Sequence, residues 1–281
     1  VTAQARSWLY VPAHRADVLL PKAMAGVADA VVLDLEDAVP ATAKDAARAA
    51  AVAAAAVEQP KPLWVRVNAL GSEWGRADLA ALAGSRAAGL RLPKVEDPAT
   101  VREAAERTGL PLHVVLESAL GVERAYELAT AHPLVALLSL GEADLMADLR
   151  VSDRDALDWA RQRVVVAARA AGLPSPPHAA WTAVSDVDGL VADTTTASRR
   201  GFFGRSVLHP SQLEPVNRLF TPGAAEVARA RALLKSLADR SAQDVAAWLD
   251  EDGRFVDAAV VANARWLVEL ADTISHERTS S

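Results

Sequence analysis

The stretch from Leu112 to Leu145, LHVVLESALGVERAYELATAHPLVALLSLGEADL, decides the fold. Two apolar runs each end in an acid. Leu112–Leu116 leads into Glu117, and Val135–Leu140 leads through Gly141 and Glu142 to Asp144. The segment between them has the helical period, so the whole reads as strand, helix, strand, a parallel crossover unit. Ligands in such folds bind at the carboxyl ends of the strands, where both acids fall. Two carboxylates converging there beside Gly141 offer a seat for a hard divalent cation such as Mg²⁺. Asp144 is the preferred ligand alongside Glu117, with Glu142 as the fallback.

Working outward, four more strands precede this unit: Ser7–Pro12 (SWLYVP), Ala30–Asp37 (AVVLDLED), Leu63–Asn68 (LWVRVN) and Leu90–Val95 (LRLPKV). Two follow it, a weak seventh at His178–Ala183 (HAAWTA) and an eighth within Gly201–His209 (GFFGRSVLH). Stretches of helical spacing alternate with them: His14–Gly26, Ala41–Val57, Arg76–Ser85, Pro98–Thr108, Ser152–Ala171 and Ser185–Arg199, the last with Ser185 as its N-cap. Eight strand–helix units in order predict an α/β protein, a (β/α)₈ TIM barrel over residues 1–222. The near-continuous apolar strands suit a parallel sheet covered on both faces. Helical stretches at Gly223–Arg240 and Phe255–Asp272, joined through a turn at Asp250–Gly253, predict a C-terminal helical extension over residues 223–281. It is expected to cap the barrel or reach a neighbouring subunit.

The chain has 281 residues, no cysteine and a formal net charge of −6, with Lys and Arg dispersed. Lack of cysteine excludes disulfides, thiolate metal sites and cysteine nucleophiles. The charge argues against a nucleic-acid binder. No apolar run reaches the roughly 20 residues of a membrane helix, and the start lacks a secretory core, so no membrane partner is expected and a cytoplasmic enzyme is the simplest reading.

Polar groups cluster where strands run out: Arg6, Asp34, Glu36, Asp37, Arg66, Asn68, Lys94, Glu117, Asp144 and His209. Arg66 inside LWVRVN stands out, because a charge in an apolar strand is costly unless paired or liganded. It is either a structural ion pair with Asp34 or Glu36, or the holder of a substrate carboxylate or thioester oxygen. His14, His113, His132 and His178 lack metal-ligand spacing and read as surface or core residues. His209 is fixed by Pro210 and lies near Arg205, so GFFGRSVLHPSQ is a candidate for holding a nucleotide-like group.

RSWLYVP, ADAVVLDLEDAVP, RVNAL, LPKVE, LESALGV, LGEADL and GFFGRSVLHPSQLEPVN occur in this order from about Arg6 to Phe220. Together they resemble the citrate lyase beta-subunit-like (CitE-like) enzymes of the HpcH/HpaI aldolase superfamily, relatives of the malyl-CoA and citramalyl-CoA lyases. The resemblance implies a TIM barrel, commonly a homotrimer. It implies Mg²⁺ on Glu117 and Asp144, substrate contacts by Arg66, and CoA carried as part of the substrate near Arg6, Lys22, Arg205 and His209. The tail DGRFVDAAVVANA, Asp252–Ala264, resembles the C-terminal segment of full-length lyases, and Asp257 matches an aspartate that transfers a proton in a neighbouring subunit's active site. Departures include Pro12-Ala13 after the first strand, Arg205 where lysine is frequent, and Ala258 in place of proline.

The activity so implied is a Mg²⁺-dependent carbon–carbon lyase. It cleaves or forms a 3-hydroxyacyl-CoA thioester such as malyl-CoA or citramalyl-CoA, with an α-keto acid and an acyl-CoA on the other side. Thioester hydrolysis on the same site, a CoA-independent aldolase and a non-catalytic citrate lyase-like subunit are the alternatives.

Overall fold

The computed structural model describes residues 5–241, 247–250 and 253–279. Residues 251–252 of the expected turn, and with them Asp252 at the head of the tail motif, lie outside the described residues. The chain divides into two compact units, Val1–Phe220 and Thr221–Ser281.

The first unit is built on a seven-stranded, all-parallel sheet. Its strands are β1 (Ser7–Pro12), β2 (Ala30–Asp34), β3 (Leu63–Arg66), β4 (Gly89–Leu92), β5 (Leu112–Leu116), β6 (Val135–Leu140) and β7 (Arg205–Val207). They lie in the order β6-β5-β4-β3-β2-β1-β7. Helices alternate with the strands, and proline or polar caps set the starts of several. Asp97 accepts a hydrogen bond from the Ala99 N–H ahead of Pro98–Thr108, where proline at the first turn sacrifices no hydrogen bond. The left-handed Gly109 ends that helix at φ 65°.

The expectation of eight strands is corrected. Where a seventh was expected, at His178–Ala183, the backbone makes a single bridge between His178 and Arg205. Pro176 and Pro177 just before it bring no N–H to a ladder. The space beside it holds bulky charged side chains instead. The His178 ring lies 3.6 Å from the Glu142 carboxylate and 3.2 Å from that of Asp193. The sheet nevertheless curls. The Arg91 Nη2 of β4 reaches the Ser139 hydroxyl of β6 at 3.2 Å and the Ser206 hydroxyl of β7 at 3.1 Å, so the two edge strands meet on one guanidinium.

Three further expectations change. Asp186, not Ser185, caps the helix Val187–Arg199, since its carboxylate accepts from the Gly189 N–H. The chain after β6 leaves the sheet and forms a helix, Glu142–Leu149. A helix at Leu213–Phe220 follows β7.

On the face toward the helices the strands are apolar except at Ser7 and Arg205. On the inner face, alternation along each strand places Trp8 and Tyr10, Trp64 and Arg66, Arg91, His113 and Val115, Ser139, and Ser206. Trp8, Trp64 and His113 pack edge-to-face with centroids 5.6 to 6.1 Å apart and form an aromatic plug. Above it the inner face becomes polar, and there a cavity opens.

The second unit contains the helices Ala224–Ser241 and Ala258–Thr279, and a short antiparallel ribbon of β8 (Trp248–Leu249) and β9 (Phe255–Val256). The ribbon takes the first two residues of the stretch expected to be helical from Phe255. Among the described residues, no helix is long and apolar enough to cross a membrane.

Candidate active site

A cavity of about 790 Å³ opens at the carboxyl ends of the strands. Tyr10, Asp34, Arg66, Arg91, Glu117 and Asp144 are among its polar lining residues.

Asp34 and Arg66 are register partners on β2 and β3. The Arg66 Nε donates to Asp34 Oδ1 at 2.6 Å and its Nη2 donates to Oδ2 at 2.8 Å. Its Nη1 lies 3.0 Å from Glu36 and 3.3 Å from Asp37. The structural ion pair considered from the sequence is therefore present, and the guanidinium also faces the cavity. Burial alone would raise the Asp34 carboxyl. The hydrogen bonds and charge of Arg66, with the N–H groups of Glu36 and Ala38, outweigh it and hold the group below its ordinary range. Glu36 has weaker compensation, and burial raises it despite Arg66 and Lys94. Lys94 reaches Glu36 at 3.2 Å from a left-handed backbone, φ 54°. A lysine held there is strained, and such strain concentrates at working sites.

Glu117 follows β5, buried beside Gly141. A Cβ on Gly141 would stand 2.4 Å from Glu117 Cγ and 2.5 Å from its Oε1, so glycine is required for the acid to sit there. The Oε2 atom is buried with no hydrogen-bond partner in the protein. Burial first, then the charges of Glu36 and Asp144, push this carboxyl up to about 8 against the pull of Arg66 and Lys94. Asp144 lies on the first turn of the helix Glu142–Leu149 and lines the same cavity.

A buried carboxylate with an orphaned oxygen and a raised proton affinity is a group awaiting positive charge. Its oxygen donors suit a hard cation, and Mg²⁺ usually keeps several waters and takes one or two protein carboxylates. The described residues contain no group of three or more His, Cys, Asp or Glu that could hold a metal ion. The donor set thus fits an open Mg²⁺ site completed by water and ligand, and does not fit a closed cage.

Glu142 has a different occupation. Arg161 grips it with Nε to Oε1 and Nη2 to Oε2, both at 2.8 Å, and Arg154 adds a 3.0 Å bond. These cations overcome burial and keep the carboxyl ionised. On a strand Glu142 and Asp144 would share a face, whereas on the observed helix residues two apart point about 200° apart. Both line the cavity, and what distinguishes Glu142 is that Arg161 and Arg154 already hold it.

The four residues matched to CoA are dispersed. Arg6 precedes β1 and forms a bidentate pair with Asp29, Nε–Oδ2 and Nη2–Oδ1 both at 2.7 Å. It stands at the opposite end of β1 from Pro12, which lines the cavity, six residues or about 20 Å away at strand rise. Arg205 is fully buried and bound to Asp193 at 2.6 Å, which leaves it no surface for a ligand. That is a correction for direct contact, since alternation along β7 turns Ser206 into the cavity and Arg205 away from it. Lys22 and His209 are exposed, and His209 caps the short turn Pro210–Gln212. Asp257 belongs to the second unit and caps its last helix, with Oδ1 accepting from the N–H groups of Ala259 and Val260.

Arg91 and Tyr10 are among the cavity residues that escaped the sequence reading. Arg91 lies in LRLPKV, a charge in an apolar strand as conspicuous as Arg66 in LWVRVN. Tyr10 carries Arg66 and Arg91 against its ring, at 4.9 and 5.2 Å from the centroid. Applying to β4 the rule applied to β3 would have found Arg91.

Known proteins share this arrangement of strands. The profile described as HpcH/HpaI aldolase/citrate lyase matches residues 6–210. A (3S)-malyl-CoA thioesterase of Cereibacter sphaeroides is 36% identical over 278 residues, 96% of this chain and 95% of that protein. Citrate lyase subunit beta of Escherichia coli is 31% identical, over 96% of this chain and 94% of that one. The crystal structure of protein CitE from Mycobacterium tuberculosis in complex with magnesium, acetoacetate and coenzyme A is similar at a TM-score of 0.82 and 32% identity, covering 97% of this chain and all of that one. With the profile running from β1 through β7 and the relatives matching nearly end to end, the chain belongs to the HpcH/HpaI aldolase/citrate lyase family.

Proposed function

We propose that this chain is a Mg²⁺-dependent carbon–carbon lyase acting on a 3-hydroxyacyl-CoA thioester such as malyl-CoA or citramalyl-CoA. The convergence of Glu117 and Asp144 on one cavity, with Glu117 buried, orphaned and proton-loving, carries this reading. The ligands named for the Mycobacterium tuberculosis relative support the choice of magnesium and CoA.

Glu117 and Asp144 would hold the metal. When bound, Mg²⁺ supplies Lewis-acid polarisation of the substrate's oxygens. Arg66 donates to the thioester oxygen that becomes enolate-like as the carbon–carbon bond breaks. Asp34 and Glu36 fix its guanidinium, so orientation is settled before substrate arrives. Asp257, contributed by a second copy in a homotrimer, returns a proton to the acyl-CoA carbon, or removes it in the condensation direction. Lys22 and His209, exposed, are the side chains left to meet the CoA moiety. The cytoplasm, where CoA thioesters are made and used, is the compartment this substrate implies.

Thioester hydrolysis is the second reading, supported by the 36% identity to a (3S)-malyl-CoA thioesterase along nearly the whole chain. One assay separates the two. Purified protein with Mg²⁺ and malyl-CoA or citramalyl-CoA should release glyoxylate or pyruvate while CoA stays esterified. Free CoA thiol without any keto acid would establish hydrolysis instead, and no turnover across a panel of 3-hydroxyacyl-CoA thioesters, with glyoxylate, pyruvate and oxaloacetate all absent, would defeat both.

A further inference from the structure

Charge accounting around the cavity leaves one group over. Arg66 is matched by Asp34, Glu36 and Asp37, and Lys94 by Glu36 and Asp37. Arg154, at the rim, pairs with Glu142 and Asp193. Arg91 has no carboxylate within ion-pair distance among the described residues.

Arg91 is 2% exposed, the more enclosed of the two arginines on the Tyr10 ring. Only Nη2 is used, on Ser139 and Ser206. Nε and Nη1 are buried without a partner in the protein, and the residue lines the cavity. The neighbouring His113 supplies no anion, since its ring is uncharged or positive and its Nε2 is bound to Ser139. Nε and Nη1 lie on opposite sides of the guanidinium, so each can donate a single charge-assisted hydrogen bond to a carboxylate oxygen. Burying the charge without one is unfavourable.

We infer that Arg91 is a specificity-determining residue that receives a second carboxylate, on the keto-acid half of the substrate, so that the enzyme selects a dicarboxylic α-keto acid over a monocarboxylic one. The orientation follows from substrate chemistry and rests on the function proposed above. CoA is too large to be enclosed and ties the thioester end to the mouth. With the reacting carbon beside Glu117 and Asp144, the substituent that reaches an enclosed arginine belongs to the other half. Glyoxylate and pyruvate bring only hydrogen or methyl to that place, whereas oxaloacetate brings a carboxylate.

Calorimetric titration of the Mg²⁺-loaded full-length protein with oxaloacetate and with pyruvate tests the inference without requiring turnover. Oxaloacetate is expected to bind at least about tenfold more tightly, the discrimination of one charge-assisted pair. In Arg91→Met the advantage should vanish, with pyruvate affinity changed less than about threefold. Arg91→Lys should restore part of it. Equal affinities in the unsubstituted protein, or an unchanged ratio in Arg91→Met, would overturn the inference. Should Arg91→Met fail to fold, the unsubstituted ratio and Arg91→Lys decide. Absence of CoA-thioester turnover with the binding preference intact would fail the proposed lyase activity and leave the Arg91 assignment standing.

Discussion

Arg66 and Asp34 face each other across two adjacent strands and share two parallel hydrogen bonds, at 2.6 and 2.8 Å. The pair is built by backbone register, because the two residues are direct partners in the ladder. Its effect is to aim a cation into the cavity while its own counter-charge stays buried. Replacing Asp34 with Asn leaves the shape and removes the charge. That change should lower kcat/KM about 100-fold through misplacement of Arg66. Arg66→Ala should cost about 3–5 kcal/mol of stability, because Asp34 and Glu36 then lie buried without their cation. Denaturant melts with matched kinetics check both. An Asp34→Asn enzyme with full activity would show that the pair is purely structural.

Glu117 gives the protein a pH signature. Its folded value of about 8 lies above the value near 4.3 expected in the unfolded chain. Between those values the folded form binds more protons than the unfolded one. Without metal, this contribution to stability is fully present below about pH 4 and is lost as pH rises through about 8. Cation binding requires the ionised carboxylate, so Mg²⁺ affinity should climb by up to about tenfold per pH unit from about pH 6 to about pH 8 and release a proton. Thermal melts in chelator and titrations in buffers of different ionisation enthalpy measure the two effects. Glu117→Gln should flatten both curves.

Gly141 marks how tightly Glu117 is seated. A methyl group there would stand 2.5 Å from Oε1, so Gly141→Ala must displace the acid or the backbone. We expect about 1–3 kcal/mol of destabilisation and at least about tenfold weaker Mg²⁺ binding. Retained affinity in a folded variant would mean that Glu117 is not a ligand.

The proton transfer proposed for Asp257 is separable from its capping role. As a helix cap it is worth about 1 kcal/mol, and Asn serves a cap as well as Asp does. As a proton carrier it has no substitute in Asn. Asp257→Asn should therefore melt like the parent and lose about 10²–10⁴-fold in kcat. Asp257→Ala should lose both. Unchanged turnover in Asp257→Asn would remove the residue from the reaction.

The sheet was legible where apolar runs are long. Leu112–Leu116 and Val135–Leu140 are strands over the expected residues, and Pro98–Thr108 is a helix over the expected residues. Strand ends were overread wherever the chain stays apolar or charged after leaving the ladder, as at Leu35–Asp37 and Val67–Asn68. HAAWTA resembles a strand in composition, yet it leaves the ladder after the one bridge at His178, and composition does not report pairing. Glu117 and Asp144 were readable because an acid after an apolar run is a local signal. Arg6 and Arg205 show the limit, since a cation's usefulness depends on whether an acid from another element, here Asp29 or Asp193, has already taken it.

The single bridge at His178 has a consequence for how this sheet avoids unwanted partners. Open strand edges invite added strands from other chains, and proteins must shield them. Here β6 and β7 turn their unsatisfied edges toward one another, with His178, Arg161, Arg205, Glu142 and Asp193 filling the interval. An intruding strand would have to displace buried, mutually paired charges before forming its first ladder bond. The seam is thereby protected against aggregation by electrostatics, where a fully closed barrel relies on its backbone.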